Sequence, residues 1–144
     1  MKLYSPAFAH QGSLPARYTC VGEGVSPPLK WEGVPEGTKS FVLICDDPDA
    51  PGKTRDHWVL YNIPAPITEI GEGSSSGENG INSWGQGGYG GPCPPSGEHR
   101  YFFKLYALDS ALKFKEPPLK QNVEQSMKGH VLATADLVGR FRKP

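Results

Sequence analysis

Residues Gly85 to Leu108 read G-Q-G-G-Y-G-G-P-C-P-P-S-G-E-H-R-Y-F-F-K-L-Y-A-L, and their reading decides the fold. The first thirteen of them hold six glycines and three prolines. Glycine lets backbone pass close to other groups and proline stiffens it, so this half is a shaped loop. From His99 to Ala107 the chain alternates. His99, Tyr101, Phe103, Leu105 and Ala107 fall on one face, and Arg100, Phe102, Lys104 and Tyr106 on the other, the period-2 signature of a strand with a core face. A histidine and a tyrosine two residues apart, at the strand's beginning and directly after the loop, predict the wall of a pocket.

Upstream, Ser40 to Asp46 (S-F-V-L-I-C-D) is a nearly continuous apolar run and reads as a strand buried on both faces. It ends in D-D-P-D-A-P (46–51), and a second apolar run starts at His57 (H-W-V-L-Y-N-I). Paired antiparallel, the two runs bring Asp47, Asp49 and His57 to one sheet edge. The period-2 count puts His57 on the face of Val59 and Tyr61, pointing as core residues point. The Asp-Pro segment leaves the isomer of Pro48 and Pro51 open. Thr68 to Ser83 is Gly/Ser/Glu-rich and reads as a mobile excursion rather than a domain linker, because the halves beside it are too small for separate cores. Residues 1–39 offer strand fragments at Lys2–Tyr4 and Leu14–Val21, with Trp31 as a core anchor. Downstream, Leu119, Val123 and Met127 at i, i+4, i+8, followed by Gly129, predict the one helix. His130 to Val138 returns to strand.

The 144 residues suit one domain, 1–144. The 18 glycines and 15 prolines exclude a mostly helical chain and leave a mainly β one. Lys plus Arg and Asp plus Glu balance at 15 each, so no global field points to nucleic acid. Cys20, Cys45 and Cys93 are odd in number and lack C-x-x-C spacing, which predicts neither a disulfide scaffold nor a zinc ribbon and fits a reducing compartment. No signal-peptide apolar run opens the sequence and no stretch approaches the roughly 18 apolar residues of a membrane span, so a soluble, cytoplasmic protein without integral membrane contact is expected.

Three strings, D-P-D-A-P (47–51), H-W-V-L-Y-N-I-P (57–64) and G-Y-G-G-P-C-P-P-S-G-E-H-R-Y (88–101), resemble the phosphatidylethanolamine-binding proteins, or Raf kinase inhibitor-like proteins, and most closely their short bacterial and archaeal branch. The resemblance extends to P-A-R-Y-T-C (15–20), V-S-P-P-L-K-W (25–31) and G-H-V-L-A (129–133), so it covers most of the chain. It implies a mainly β, two-sheet antiparallel β-sandwich with Greek-key-like connections and one short helix in the C-terminal region. It also implies a small pocket for phosphate or a phosphate headgroup, lined by Asp47, Asp49, His57, Gly91, Pro92, His99 and Tyr101. Longer eukaryotic members have an aromatic-rich segment before the pocket histidine and a second histidine beside it; here Lys53-Thr54-Arg55-Asp56 precedes a single His57.

Carboxylates beside an anion repel it at short range. Histidines resolve this if a nearby carboxylate favours the imidazolium, which then donates a charge-assisted hydrogen bond, or if one carboxylate is itself protonated. Tyr101 and the Gly91 N–H would add neutral donors. The reading is a non-catalytic binding or regulatory protein that takes a small anionic or phosphorylated ligand, with no cofactor, and acts on a protein partner of the kinase or protease kind that the family's names suggest. Two alternatives stand beside it: a hydrolase using Asp/His/Tyr acid-base chemistry, against which no G-x-S-x-G, Walker loop or H-E-x-x-H is found, and a His/Asp metal-binding protein. His10, His130, Arg17, Arg100, Arg140 and Arg142 read as structural or surface charges. Cys93 reads either as a space-filler or as an oxidisable thiol. Exposed sheet edges would allow a homodimer.

Overall fold

The computed structural model describes residues Met1–Pro144. In chain order the strands are β1 (Lys2–Tyr4), β2 (Gly12–Ser13), β3 (Leu29–Glu32), β4 (Ser40–Asp47), β5 (Arg55–Pro64), β6 (Glu69–Ile70), β7 (Glu78–Asn79), β8 (Glu98–Leu108) and β9 (Val131–Arg142), with one helix, α1 (Lys120–Met127). They build a small sheet, β1-β3-β6, and a six-stranded sheet, β2-β9-β8-β4-β5-β7, neither closed into a barrel. Every pairing is antiparallel except β2 with β9, a two-residue parallel contact. The mainly β, two-sheet architecture with one short helix is the one the resemblance implied.

The apolar run of β4 explains the layering. All eight of its residues are buried because both faces are covered. Phe41, Leu43 and Cys45 face the small sheet and join Leu3, Leu29, Trp31 and Ile70 in the larger core cluster. Val42 and Ile44 face the other way and join Val59, Tyr61, Val123 and Met127 beneath α1. On β8 the alternation holds along its length: Tyr101, Phe103 and Leu105 are fully buried, and sequestering each such side chain contributes about 1.5–3 kcal/mol. Buried polar groups interrupt this scheme at the strand ends. Asp46, 2 % exposed, turns to the helix side and accepts hydrogen bonds from Lys104 Nζ at 3.0 Å and Lys120 Nζ at 3.2 Å, fastening α1 to the sheet.

Several local expectations change. Leu14 to Val21 is not a strand: Pro15 leads into a single 3₁₀ turn, Ala16–Tyr18, consistent with proline's fixed φ and missing N–H. The 68–83 segment is pinned rather than loose, since β6 pairs with β3, β7 pairs with β5, and Gly73 N–H donates to Ser26 O at 2.9 Å. Leu119 precedes α1 and is exposed, so Val123 and Met127 alone bury the helix face. β9 runs on to Arg142, pairing with the whole length of β8. No peptide bond is cis, those of Pro48 and Pro51 included.

The cysteine expectation is overturned. Cys20 and Cys93 form a disulfide across 73 residues of chain, and Cys45 alone is a free, buried thiol. An odd count and the lack of C-x-x-C spacing spoke against a scaffold of several bridges, but neither bears on one long-range pair. Cys93 is therefore not an oxidisable free thiol in this structure.

Candidate functional site

β4 and β5 do pair antiparallel, and the register shifts between Cys45 and Asp46: Trp58 lies opposite Cys45, whereas Asp56 lies opposite Asp46. His57 is the extra residue of that shift. The period-2 count that placed it with Val59 and Tyr61 breaks there, because those two belong to the helix-side cluster, whereas the His57 ring stands edge-on to Tyr101 with centroids 5.2 Å apart. A bulge of this kind re-aims one side chain at the end of a ladder. Here it turns His57 to the face that carries Asp47, His99 and Tyr101.

The glycine-proline loop closes over this edge and is held at four points. His57 Nδ1 lies 2.6 Å from Gly90 O, and Gly90 N–H donates back to His57 O at 2.8 Å. Tyr89 OH donates to Tyr18 O at 2.7 Å, and Cys20 N–H donates to Pro92 O at 3.1 Å. The disulfide adds a covalent link between the same two segments. Gly91 lets the loop dock closely: a Cβ there would stand 3.3 Å from the Thr19 carbonyl carbon. At Gly90 a Cβ would meet the Trp84 ring at 2.5 Å.

Between loop and strands lies a cleft of about 310 Å³ lined by Asp47, Arg55, His57, His99 and Tyr101 with Ala50, Pro51, Trp84, Cys93, Pro94 and Pro95. Of the seven site residues expected from sequence, four line it together: Asp47, His57, His99 and Tyr101. The other three serve the frame. Asp49 turns outward into a two-pronged pair with Arg100, its Oδ2 accepting from Nε at 2.9 Å and its Oδ1 from Nη2 at 2.8 Å, and this bonding holds its carboxyl down at about 2. Gly91 and Pro92 pack against residues 18–20, as described above. Arg55 and Trp84 were not expected; the signal for Arg55 was its place two residues before His57, on the same strand face. Arg55 stacks over Trp84, 5.4 Å from the ring centroid, and it alone among the cleft's charged side chains makes no ion pair.

Asp47 is 3 % exposed and fully engaged: its Oδ2 accepts from His99 Nδ1 at 2.7 Å and its Oδ1 from Asp49 N–H at 2.8 Å. His57 is 1 % exposed. Burial is the largest influence on its ring and lowers its pKa from the ordinary value, outweighing the Gly90 hydrogen bond and the charge of Asp47, which act to raise it. The imidazolium expected from a carboxylate neighbour is thus not the resting form of His57. Tyr101 is held as a neutral phenol by burial and then by the Asp47 charge. His57 Nε2 and Tyr101 OH are both buried without a hydrogen-bond partner, an uncommon condition for two polar atoms in one cleft. No three His, Cys, Asp or Glu side chains gather in a metal-ligating group.

Fold and cleft together define a class: a two-sheet β protein whose sheet edge, capped by a tethered glycine-proline loop, presents an Asp/His/His/Tyr floor. The family model described as phosphatidylethanolamine-binding protein matches residues 4–142, and the chain belongs to that family. A UPF0098 protein of Methanothermobacter thermautotrophicus is 49 % identical over 150 residues, covering 99 % of each chain, and one of Chlamydia trachomatis is 41 % identical with the same coverage. Among solved structures, a phosphatidylethanolamine-binding protein homolog from Chlamydia trachomatis aligns with a TM-score of 0.95 at 40 % identity, over 99 % of this chain and 97 % of that one. Escherichia coli YbcL, described as a new member of the mammalian family, aligns at 0.90 and 32 %, over 99 % and 98 %. No helix here is long and apolar enough to cross a membrane.

Proposed function

We propose that the chain is a single binding domain, 1–144, whose cleft takes a small oxyanion, phosphate or a phosphate headgroup, and that it regulates a protein partner of the kinase or protease kind without itself catalysing a reaction. One observation carries the reading of the cleft: two buried polar atoms, His57 Nε2 and Tyr101 OH, stand unpartnered on its floor beneath Arg55, a cation without a carboxylate partner at its rim. Buried polar groups that find no partner in the fold await one from outside it. Family membership agrees with a binding or regulatory role. Hydrolysis is the weaker reading: the one thiol in the cleft, Cys93, is tied in the disulfide, and the sequence carries no Walker or H-E-x-x-H motif. A cytoplasmic setting is kept in the proposal on the condition that it leaves that bond closed. A homodimer, if formed, would use the edges of the larger sheet, because β2 and β7 each pair with only two residues of β9 and β5.

The test is an NMR titration with phosphate and phosphoethanolamine at pH 6, following the ring signals of His57 and His99. Saturable shifts of both uphold the anion site. No response from either refutes it.

A further inference from the structure

The donor and acceptor inventory of the cleft floor goes beyond the statement that it takes an anion. His57 Nδ1 lies 2.6 Å from the Gly90 carbonyl oxygen, and a carbonyl can only accept, so this nitrogen carries the hydrogen. In the neutral ring Nε2 is then a bare lone pair, buried, unpartnered and lining the cleft. Burial holds the ring neutral, and Arg55 on its own strand acts the same way, against the Gly90 hydrogen bond and the charges of Asp47 from β4 and Asp56 beside it; Tyr101 from β8 and the Trp84 edge pack on the ring with centroids 5.2 and 5.0 Å away. Asp47 does not reach this nitrogen: its two oxygens are engaged with His99 and the Asp49 N–H, and Nε2 has no hydrogen-bond partner in the fold. The floor therefore asks its occupant for a donor, while Arg55 at the rim asks for negative charge.

We propose that the cleft selects oxyanions that still carry a proton: hydrogen phosphate and singly protonated phosphate monoesters, whose P–O–H donates to His57 Nε2 while the remaining oxygens accept from Tyr101 OH and Arg55. The inference rests on the anion reading above and deepens it by assigning His57 as the residue that sets specificity. Fully deprotonated oxyanions and phosphodiesters of similar size are rejected, which narrows the headgroup reading to the free monoester and excludes a headgroup still joined to its lipid. Sulfate near neutrality and dimethyl phosphate have no hydrogen to offer, so they set a lone pair against a lone pair in a site without room to rehydrate either. A site built for one hydrogen bond discriminates strongly against an analogue that lacks it. A mispaired buried group alone accounts for a difference of about ten- to a hundredfold in affinity. Phosphate monoesters, with a second pKa near 6, keep a singly protonated fraction at neutral pH that can occupy such a site.

The experiment is isothermal titration calorimetry of the full chain with inorganic phosphate, sulfate and dimethyl phosphate at pH 7. There phosphate should bind at least about tenfold more tightly than either of the other two. Equal affinities for phosphate and sulfate would overturn the acceptor assignment of His57 and leave the anion site standing. If none of the three binds, the anion reading itself falls and takes this inference with it.

Discussion

Opening the Cys20–Cys93 bond should cost this protein stability while leaving its cleft intact. The loop end of the bond is already fixed in the folded state by the paired bonds between His57 and Gly90, by Tyr89 OH on Tyr18 O and by Cys20 N–H on Pro92 O. The disulfide therefore acts chiefly on the unfolded chain, where it closes a loop spanning 73 residues of separation. The chain-entropy relation gives roughly 15 cal/mol/K for a loop of that length, or about 4 kcal/mol at 25 °C. With an unfolding entropy of about 2.1 cal/mol/K per residue, near 0.3 kcal/mol/K for the whole chain, this lowers the melting temperature by roughly 13 °C. The assay is a pair of thermal melts, oxidised and with a phosphine reductant, on the natural chain and on Cys20→Ser/Cys93→Ser. The natural chain should fall by that amount on reduction, and the double variant should melt low and ignore the reductant. Phosphate affinity of the double variant should stay within a few-fold of the natural chain. A reduced protein that melts within about 2 °C of the oxidised one refutes the entropy argument. Lost phosphate affinity with unchanged stability shows instead that the bond shapes the native loop.

Three further outcomes follow from the same geometry. His57 is neutral in the fold below its ordinary value of 6.5, so the unfolded chain binds the extra proton. Its contribution is complete above pH 6.5 and is lost as pH falls toward the lower folded value; denaturant titrations from pH 8 to 4 should show that decline, and His57→Phe should flatten it. Below that range Asp49, held at about 2 against an ordinary 3.8, has the same sign, with stability lost as pH falls from near 4, and Asp49→Asn should remove this lower step. Asp46→Ala removes the carboxylate that Lys104 and Lys120 share, while Lys120 keeps Asp56 at 2.9 Å; because that pair survives and both lysines keep some solvent contact, the cost should be about 2–3 kcal/mol by chemical denaturation, below that of a fully broken buried pair. Gly77→Ala places a Cβ 2.4 Å from the Tyr61 carbonyl oxygen at a φ of +75°, and with backbone on both sides unable to yield it should cost about 2–4 kcal/mol in the same assay.

The strands whose burial is two-sided or cleanly alternating could be read from the chain: β4 from its unbroken apolar run, β8 from its alternation, and α1 from Val123, Met127 and the glycine after them. Short elements could not, because β2, β6 and β7 are two residues each and owe their conformation to the strand they meet rather than to any local pattern. The same limit applied to Cys20 and Cys93, whose pairing depends on how residues 16–20 dock under the loop. In the cleft, Asp47, His57, His99 and Tyr101 were legible by residue type and position at strand ends. Asp49 was not, since its partner Arg100 sits on the opposite face of β8 from His99 and only the three-dimensional edge brings the two together.

The residues that defeat the local rules are also the ones that make the site. Asp47 ends a strand with an apolar middle, and it is buried there. His57 breaks the period of β5 at the register shift and loses contact with solvent on the way. Burying a carboxylate, an imidazole and a phenol together opposes folding unless each is satisfied. Asp47 is satisfied by His99 and the Asp49 N–H, and His57 Nδ1 by Gly90. Among the cleft's own polar side chains, the buried atoms left unsatisfied are His57 Nε2 and Tyr101 OH. A fold selected for stability alone would fill this edge with apolar side chains continuous with Cys45 and Phe103. The retained cost is local, and it falls on the two atoms that an oxyanion bearing a proton would satisfy at once.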